Sequence, residues 1–187
     1  GRIRAILPPE PCSCAKAIEE RNYKAQEEKR IQSEIERNRS MQEMKEKIEK
    51  LLSDSGIKER FKQRTFDMFI ATTEQEKRAK AVAQRYAENF LTTVAQKGSC
   101  LRFEGTKGTG KTHLAAAIAL DLINRGVPVI FKSVGDLFLD IRNTFNRGEK
   151  TEEEILDVYK KVDLLVVDDI DKAKYTEWSV SVLYQII

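Results

Sequence analysis

The run GTKGTGKT, from Gly105 to Thr112, holds the residues best suited to chemistry in this chain. Gly105, Gly108 and Gly110 let successive backbone N–H groups turn inward and form a nest for an anion. The spacing G-x-x-x-x-G-K-[ST] is that of a phosphate loop. Lys111 would bring a mobile ammonium to β- and γ-phosphates, and the Thr112 hydroxyl can join the shell of a Mg²⁺ ion. Thr106, Lys107 and Thr109 complete the cradle, and His113 follows on the helix that the loop opens. The positive end of that helix faces the same point. A plain glycine turn with an incidental lysine is the alternative. The setting between a predicted strand and a predicted helix argues against it.

Such a loop needs an acidic partner at the end of a nearby buried strand. LLVVDD, from Leu164, supplies Asp168 and Asp169. Asp168 is expected to hold Mg²⁺ through water, and Asp169 to orient or deprotonate the attacking water. Acidic residues also end strands as helix caps, but the upstream loop favours the first role. The predicted catalytic set is Lys111, Asp168 and Asp169, with ATP and Mg²⁺ as cofactors. No arginine finger and no polar sensor on another strand is identifiable. Hydrolysis is therefore expected to be slow without a neighbouring subunit.

The elements around these residues alternate. CLRFEG at 100–105 reads as a short strand, 111–124 as an alanine- and leucine-rich helix, and VPVIFKS at 127–133 as a second strand. Helices follow over 134–145 and from the Thr151 cap to about Lys161. DLLVVDD is a third strand, apolar enough to be buried on both faces. Thr176 caps a last helix. Strands alternating with helices indicate an α/β domain with a mostly parallel sheet and flanking helices. Upstream, Thr73-Glu-Gln-Glu76 is a capping box opening a helix to about Ala95. Ala79, Val82, Ala83, Tyr86, Phe90 and Val94 share one face of it, and Gly98 closes it.

Residues 16–52 are dense in Lys, Arg, Glu and Gln without Gly or Pro, so they are helical. Ile31, Ile35, Met41, Met44, Ile48 and Leu51 form a narrow apolar stripe on one helix or on two. Ser40-Met-Gln-Glu43 fits a second capping box and predicts a break near Asn38. The stripe suits packing on the chain's own domain or docking of a partner, and the sequence does not choose. Ser53-Asp-Ser-Gly56 marks the best boundary. The organisation read here is 1–14, a remnant of an N-terminal module; 15–53, a helical partner-binding region; 54–73, a basic irregular linker; and 74–187, the ATPase domain.

With 187 residues, 41% hydrophobic, the chain suffices for one domain and an appendage. Charged residues make up 34%, yet the net charge is only +3, which permits local nucleic-acid contact without predicting it. No apolar run is long enough for a transmembrane helix. No secretory signal is visible, and three cysteines make no disulfide framework, so a cytoplasmic setting is expected. The chain starts at Gly1 and stops at Ile187 inside an apolar helical pattern. A piece of a longer chain is the expectation.

RTFDMF, YAENF, LRFEGTKGTGKTHLAAAIA and DLLVVDDID followed by TEW together resemble the DnaC/DnaI-type helicase loaders of the AAA+ ATPases. The IstB transposition helper ATPases are close relatives. The resemblance covers residues 56–187. It implies an incomplete AAA+ domain with sheet order 5-1-4-3-2, self-assembly with nucleotide between neighbours, a replicative DNA helicase partner and contact with single-stranded DNA. It also implies that Phe66 and Phe69 lie near the adenine, against an equally open reading as core packing. Strands 4 and 5 would come after Ile187, leaving strand 1 unflanked, so 1–187 alone is expected to fold poorly.

Cys12-Ser-Cys14 resembles the second ligand pair of a small zinc module, which needs four ligands. Zn²⁺ should bind weakly or not at all with only this pair; two surface thiols are the alternative. Lys132, Phe138, Arg142, Phe145 and Arg147 mix basic and aromatic residues, as contact with single-stranded DNA would want. An ordinary amphipathic helix with Leu137, Phe138 and Ile141 inward is the favoured reading of that stretch. Three functions remain: helicase loader, transposition helper, and a nucleotide-gated adaptor whose hydrolysis is incidental.

Overall fold

The computed structural model describes residues 14–147 and 151–186. The chain forms two compact units, residues 1–45 and 46–187. In the first, helix α1 (Ala15–Asp54) begins and presents Ile18, Ile31, Ile35, Met41 and Met44 to solvent. The break expected near Asn38 is absent; α1 is continuous. Glu43, which a capping box would turn back to Ser40, is instead paired with Arg39 at 2.9 Å, one helical turn away.

The second unit starts with the last turns of α1, where Ile48, Leu51 and Leu52 pack on the core. At Ser55, fully buried, the chain turns. The Ser55 hydroxyl donates to the Leu52 carbonyl at 2.8 Å and accepts from Ile57 N–H. Its carbonyl accepts from the Phe131 N–H at 2.7 Å. Gly56 has φ 74, and a Cβ there would stand 3.1 Å from the Phe131 carbonyl oxygen. The expected irregular linker at 54–73 is therefore packed: Ile57 and Phe69 are buried and Phe61 tilts against Phe131.

Thr73 and Glu76 form the predicted capping box of α2 (Glu74–Glu88). This helix buries Ala83 and Ala87, whereas Val82 is 49% exposed, because the buried line runs through 79, 83, 87 and 90. A π-turn at Phe90–Val94 and the single turn α3 (Ala95–Lys97) lead to Gly98, φ 60. Leu101 and Phe103 pack on the core, yet 100–105 is not a strand. It finds no partner ladder among the described residues, and extended backbone without a ladder is not a sheet.

Helix α4 (Lys111–Asn124) buries Leu114, Leu122, Ile123 and all of Ala116–Leu120. Strand β1 (Val129–Ser133) is followed by α5 (Val134–Arg147), α6 (Glu152–Lys161, with the Thr151–Glu154 capping box), β2 (Leu164–Asp168) and α7 (Glu177–Ile186). β1 and β2 run parallel, in register from Val129↔Leu164 to Ser133↔Asp168. Alternate residues of β2 serve two cores: Leu164 and Val166 join the α2–α4 cluster, Leu165 and Val167 the α5–α6–α7 cluster. β2 is only half-buried, not buried on both faces, since among the described residues it pairs with β1 alone.

Candidate functional site

The phosphate loop connects the extended 100–104 segment to α4. Gly105, Gly108 and Gly110 all have left-handed φ, at 146, 88 and 81. This geometry needs glycine and turns the intervening N–H groups toward one side. Thr109 steadies the loop by donating to the Thr106 carbonyl at 2.9 Å. Thr106 and Lys107 are exposed. Lys111 curls over the loop and donates to the Gly105 and Thr106 carbonyls at 2.9 and 2.8 Å. Its ammonium is thus held against the loop backbone at Gly105 and Thr106.

The Thr112 hydroxyl donates to Asp168 Oδ1 at 3.0 Å, across 56 residues of sequence. The first turn of α4 and the end of β2 are thereby joined at two oxygen ligands. A hard divalent cation prefers such donors, so the residues present fit Mg²⁺. Asp169 follows with φ 56, the sole non-glycine at positive φ among the described residues. It opens a three-residue 3₁₀ turn, and its carboxylate lies 2.6 Å from Lys172 Nζ. This carboxylate pushes the Lys172 pKa up, chiefly through the hydrogen bond.

His113 turns away from the loop mouth. Its Nε2 lies 2.9 Å from the Thr65 carbonyl, and its ring meets Phe69 edge to face at 5.2 Å. Phe69 also rests on Gly110, so the segment around Phe69 does lie at the loop, while Phe66 packs on the core. Lys80 of α2 holds the Phe69 carbonyl at 3.2 Å. Sequence reasoning missed Lys172 and Lys80. The signal for Lys172 was the three-residue spacing from Asp169; for Lys80 there was none, since its partner is a backbone carbonyl.

The basic and aromatic residues around α5 divide differently from a nucleic-acid surface. Lys132 is paired with Asp140 at 2.8 Å, and Phe138 is core at 8% exposure, packed on Tyr175 and Trp178. Phe138 thus lies inward, as the favoured amphipathic reading of that stretch expects, together with Leu137 and Ile141. Arg142 is exposed and stacks over the Trp178 ring at 4.8 Å. Cys12 and the side chains of Phe145 and Arg147 lie outside the described residues. Cys14 is exposed, and no cluster of three or more His, Cys, Asp or Glu among the described residues could hold a metal, so nothing supports Zn²⁺.

A glycine loop opening a helix, its lysine over the loop, and an acidic strand end touching its threonine define a P-loop nucleotide-binding α/β domain. Residues 13–187 match the family model of IstB-like ATP binding proteins, and the chain belongs to that family. It is 33% identical over 165 residues to the replicative helicase loader DnaC of Buchnera aphidicola subsp. Baizongia pistaciae, covering 87% of this chain and 63% of the relative. It is 31% identical over 141 residues to DnaC of Escherichia coli, covering 75% and 56%. It is also 30% identical to the uncharacterized protein YdaV of E. coli, covering 100% of this chain and 72% of that one. The chain thus spans 56–63% of the length of the DnaC relatives it matches. No helix among the described residues is long and apolar enough to cross a membrane.

Proposed function

We propose that this protein is an ATP-hydrolysing loader that delivers a replicative DNA helicase onto single-stranded DNA in the cytoplasm during replication. The contact between Thr112 and Asp168, with Lys111 over the same loop, carries the ATPase part of the reading. Likeness to two DnaC loaders carries the loading part.

In this reading Lys111 supplies its ammonium to the β- and γ-phosphates. The left-handed glycines aim the loop N–H groups at the same oxygens. Thr112, and Asp168 through water, would hold Mg²⁺, which would supply charge neutralisation at the phosphates. Asp169 orients the attacking water. The developing charge needs a further cation, and self-assembly with an arginine from a neighbouring subunit would provide it. Residues 15–53 would engage the helicase, with Ile31, Ile35, Met41 and Met44 as its exposed apolar stripe.

A second reading is that of a transposition helper, favoured by the IstB-like description of the family model. Native mass spectrometry separates the two. The protein is mixed with the replicative helicase of its own cell, with and without a non-hydrolysable ATP analogue. A defined complex, lost on removal of residues 1–53, supports loading. No complex in either condition refutes it and leaves the helper reading, to be tried with a transposase.

A further inference from the structure

Asp169 is bound twice to the same neighbour. Its carbonyl accepts from the Lys172 N–H at 3.0 Å, closing the 3₁₀ turn, and its Oδ1 meets the Lys172 ammonium at 2.6 Å. The turn is braced from outside: the Tyr175 hydroxyl donates to the Ile170 carbonyl, and the Tyr175 ring lies against Phe138 of α5. Asp169 sits in left-handed backbone, where aspartate is found more often than most non-glycine residues. Both side chains are partly exposed, at 62% for Lys172 and 39% for Asp169, so the pair can open into water without burying a charge.

We infer that Lys172 is a positioning residue that restrains the Asp169 carboxylate, and that opening of this pair frees Asp169 to orient water. The inference rests on the role given to Asp169 under the proposed function. The geometry supports a restraint rather than an aid. A carboxylate oxygen accepting from an ammonium at 2.6 Å has one of its acceptor directions occupied, and the ammonium fixes how the carboxylate is turned. Lys172 reaches Asp169 from within the same turn, so every copy of the chain carries the restraint. Hydrolysis is therefore slowed by the fraction of time the pair stays closed.

The test is steady-state ATP turnover, with parallel binding of a fluorescent ATP analogue. The proteins are wild type, Lys172→Ala, Lys172→Arg, and Lys172→Ala combined with Asp169→Asn. Exposed ion pairs are weak, so Lys172→Ala should raise kcat by about two- to fivefold, with KM and analogue affinity unchanged. Lys172→Arg, which keeps charge and reach, should return kcat to the wild-type value. The double variant should show no turnover, so that residual turnover in it would overturn the role of Asp169 on which the restraint rests. Added salt should raise wild-type kcat toward that of Lys172→Ala, because exposed pairs are screened.

A fall in kcat with a rise in KM would make Lys172 a phosphate contact and overturn the restraint. An unchanged kcat in Lys172→Ala, with wild type active, would also overturn it while leaving the ATPase reading intact. Binding of the analogue without turnover in wild type, Lys172→Ala and Lys172→Arg alike would refute hydrolysis through Asp169 and the restraint together.

Discussion

Substituting Gly110 by alanine tests whether the segment before the domain's first helix closes the phosphate loop. Two separate penalties are expected. Gly110 has φ 81, and forcing an L-residue there costs roughly 1–2 kcal/mol. A Cβ at that position would also stand 2.4 Å from Phe69 Cε2 and 3.2 Å from Cζ, inside any real contact distance. Phe69 is buried, at 7% exposure, and its carbonyl is held by Lys80, so the ring cannot swing away without disturbing its neighbours. Overpacking of this kind costs about 1–3 kcal/mol. The sum is roughly 2–5 kcal/mol. Gly98 is the internal control: its φ is 60, but nothing lies within 4 Å of its Cβ position, so Gly98→Ala carries only the backbone penalty. Urea denaturation of wild type and both variants measures the two costs. Phe69→Leu, which lacks the ring atoms that collide, should relieve the steric part of Gly110→Ala in a double-mutant cycle, by about 1–3 kcal/mol. Equal costs at Gly98 and Gly110, with additive behaviour alongside Phe69→Leu, would refute the packing of Phe69 on the loop.

Lys111→Ala removes a charge-assisted contact to phosphate and should weaken ATP binding by roughly ten- to a hundredfold, read by calorimetry; normal binding would sink the phosphate-loop assignment. Asp169→Asn should abolish turnover while leaving ATP affinity near wild type, and if helicase delivery survives this change the adaptor reading gains. Glu76 accepts from Thr73 and Thr72 and its pKa is lowered to about 2. A depressed folded-state value means that its stabilisation is present above the unfolded value of 4.5 and is lost as pH falls toward 2. Glu76→Gln should therefore lower stability at neutral pH and converge with wild type in acid, as followed by thermal melts across that window. Leu122→Ala, at a fully buried site of α4, should cost about 2–5 kcal/mol in urea, and a small loss would contradict the burial.

Much of the site was legible because its chemistry is written locally. Glycines at fixed spacing, a lysine and a threonine at a helix start, and two acids after an apolar run each state a role without knowledge of the fold. Capping boxes at Thr73 and Thr151 were legible for the same reason: both partners lie within three residues. The box read at Ser40 shows the limit of such patterns. Its residues permit a cap, but nothing ends the preceding helix, and Arg39 offers Glu43 a partner that leaves α1 intact. The strand read at 100–105 failed for a different reason. Alternating Leu101 and Phe103 do face the core, but strand identity is a property of two segments, and the alternation of one cannot supply the other. The inward face of Leu137, Phe138 and Ile141 favoured for this stretch is the one buried, while Asp140, which pairs with Lys132, and Trp178, which packs on Phe138, are partners that sequence alone does not reveal.

Residues 55–69 were the hardest part to read, and they organise the site most. They have neither helical nor strand periodicity, so pattern reasoning reduced them to a linker. Each of their anchors lies far away in sequence. Ser55 bonds to Phe131 at the edge of β1, Phe61 packs on the same Phe131, Thr65 receives His113, and Phe69 covers Gly110. Taken in order, these contacts run from the first strand to the first turn of α4. They attach the segment to the loop through two residues, Gly110 and His113, that flank Lys111 and Thr112. Gly110 and His113 are the immediate chain neighbours of the two residues proposed to meet phosphate and Mg²⁺. A segment that looks like a spacer in sequence is therefore the wall against which the phosphate loop is set.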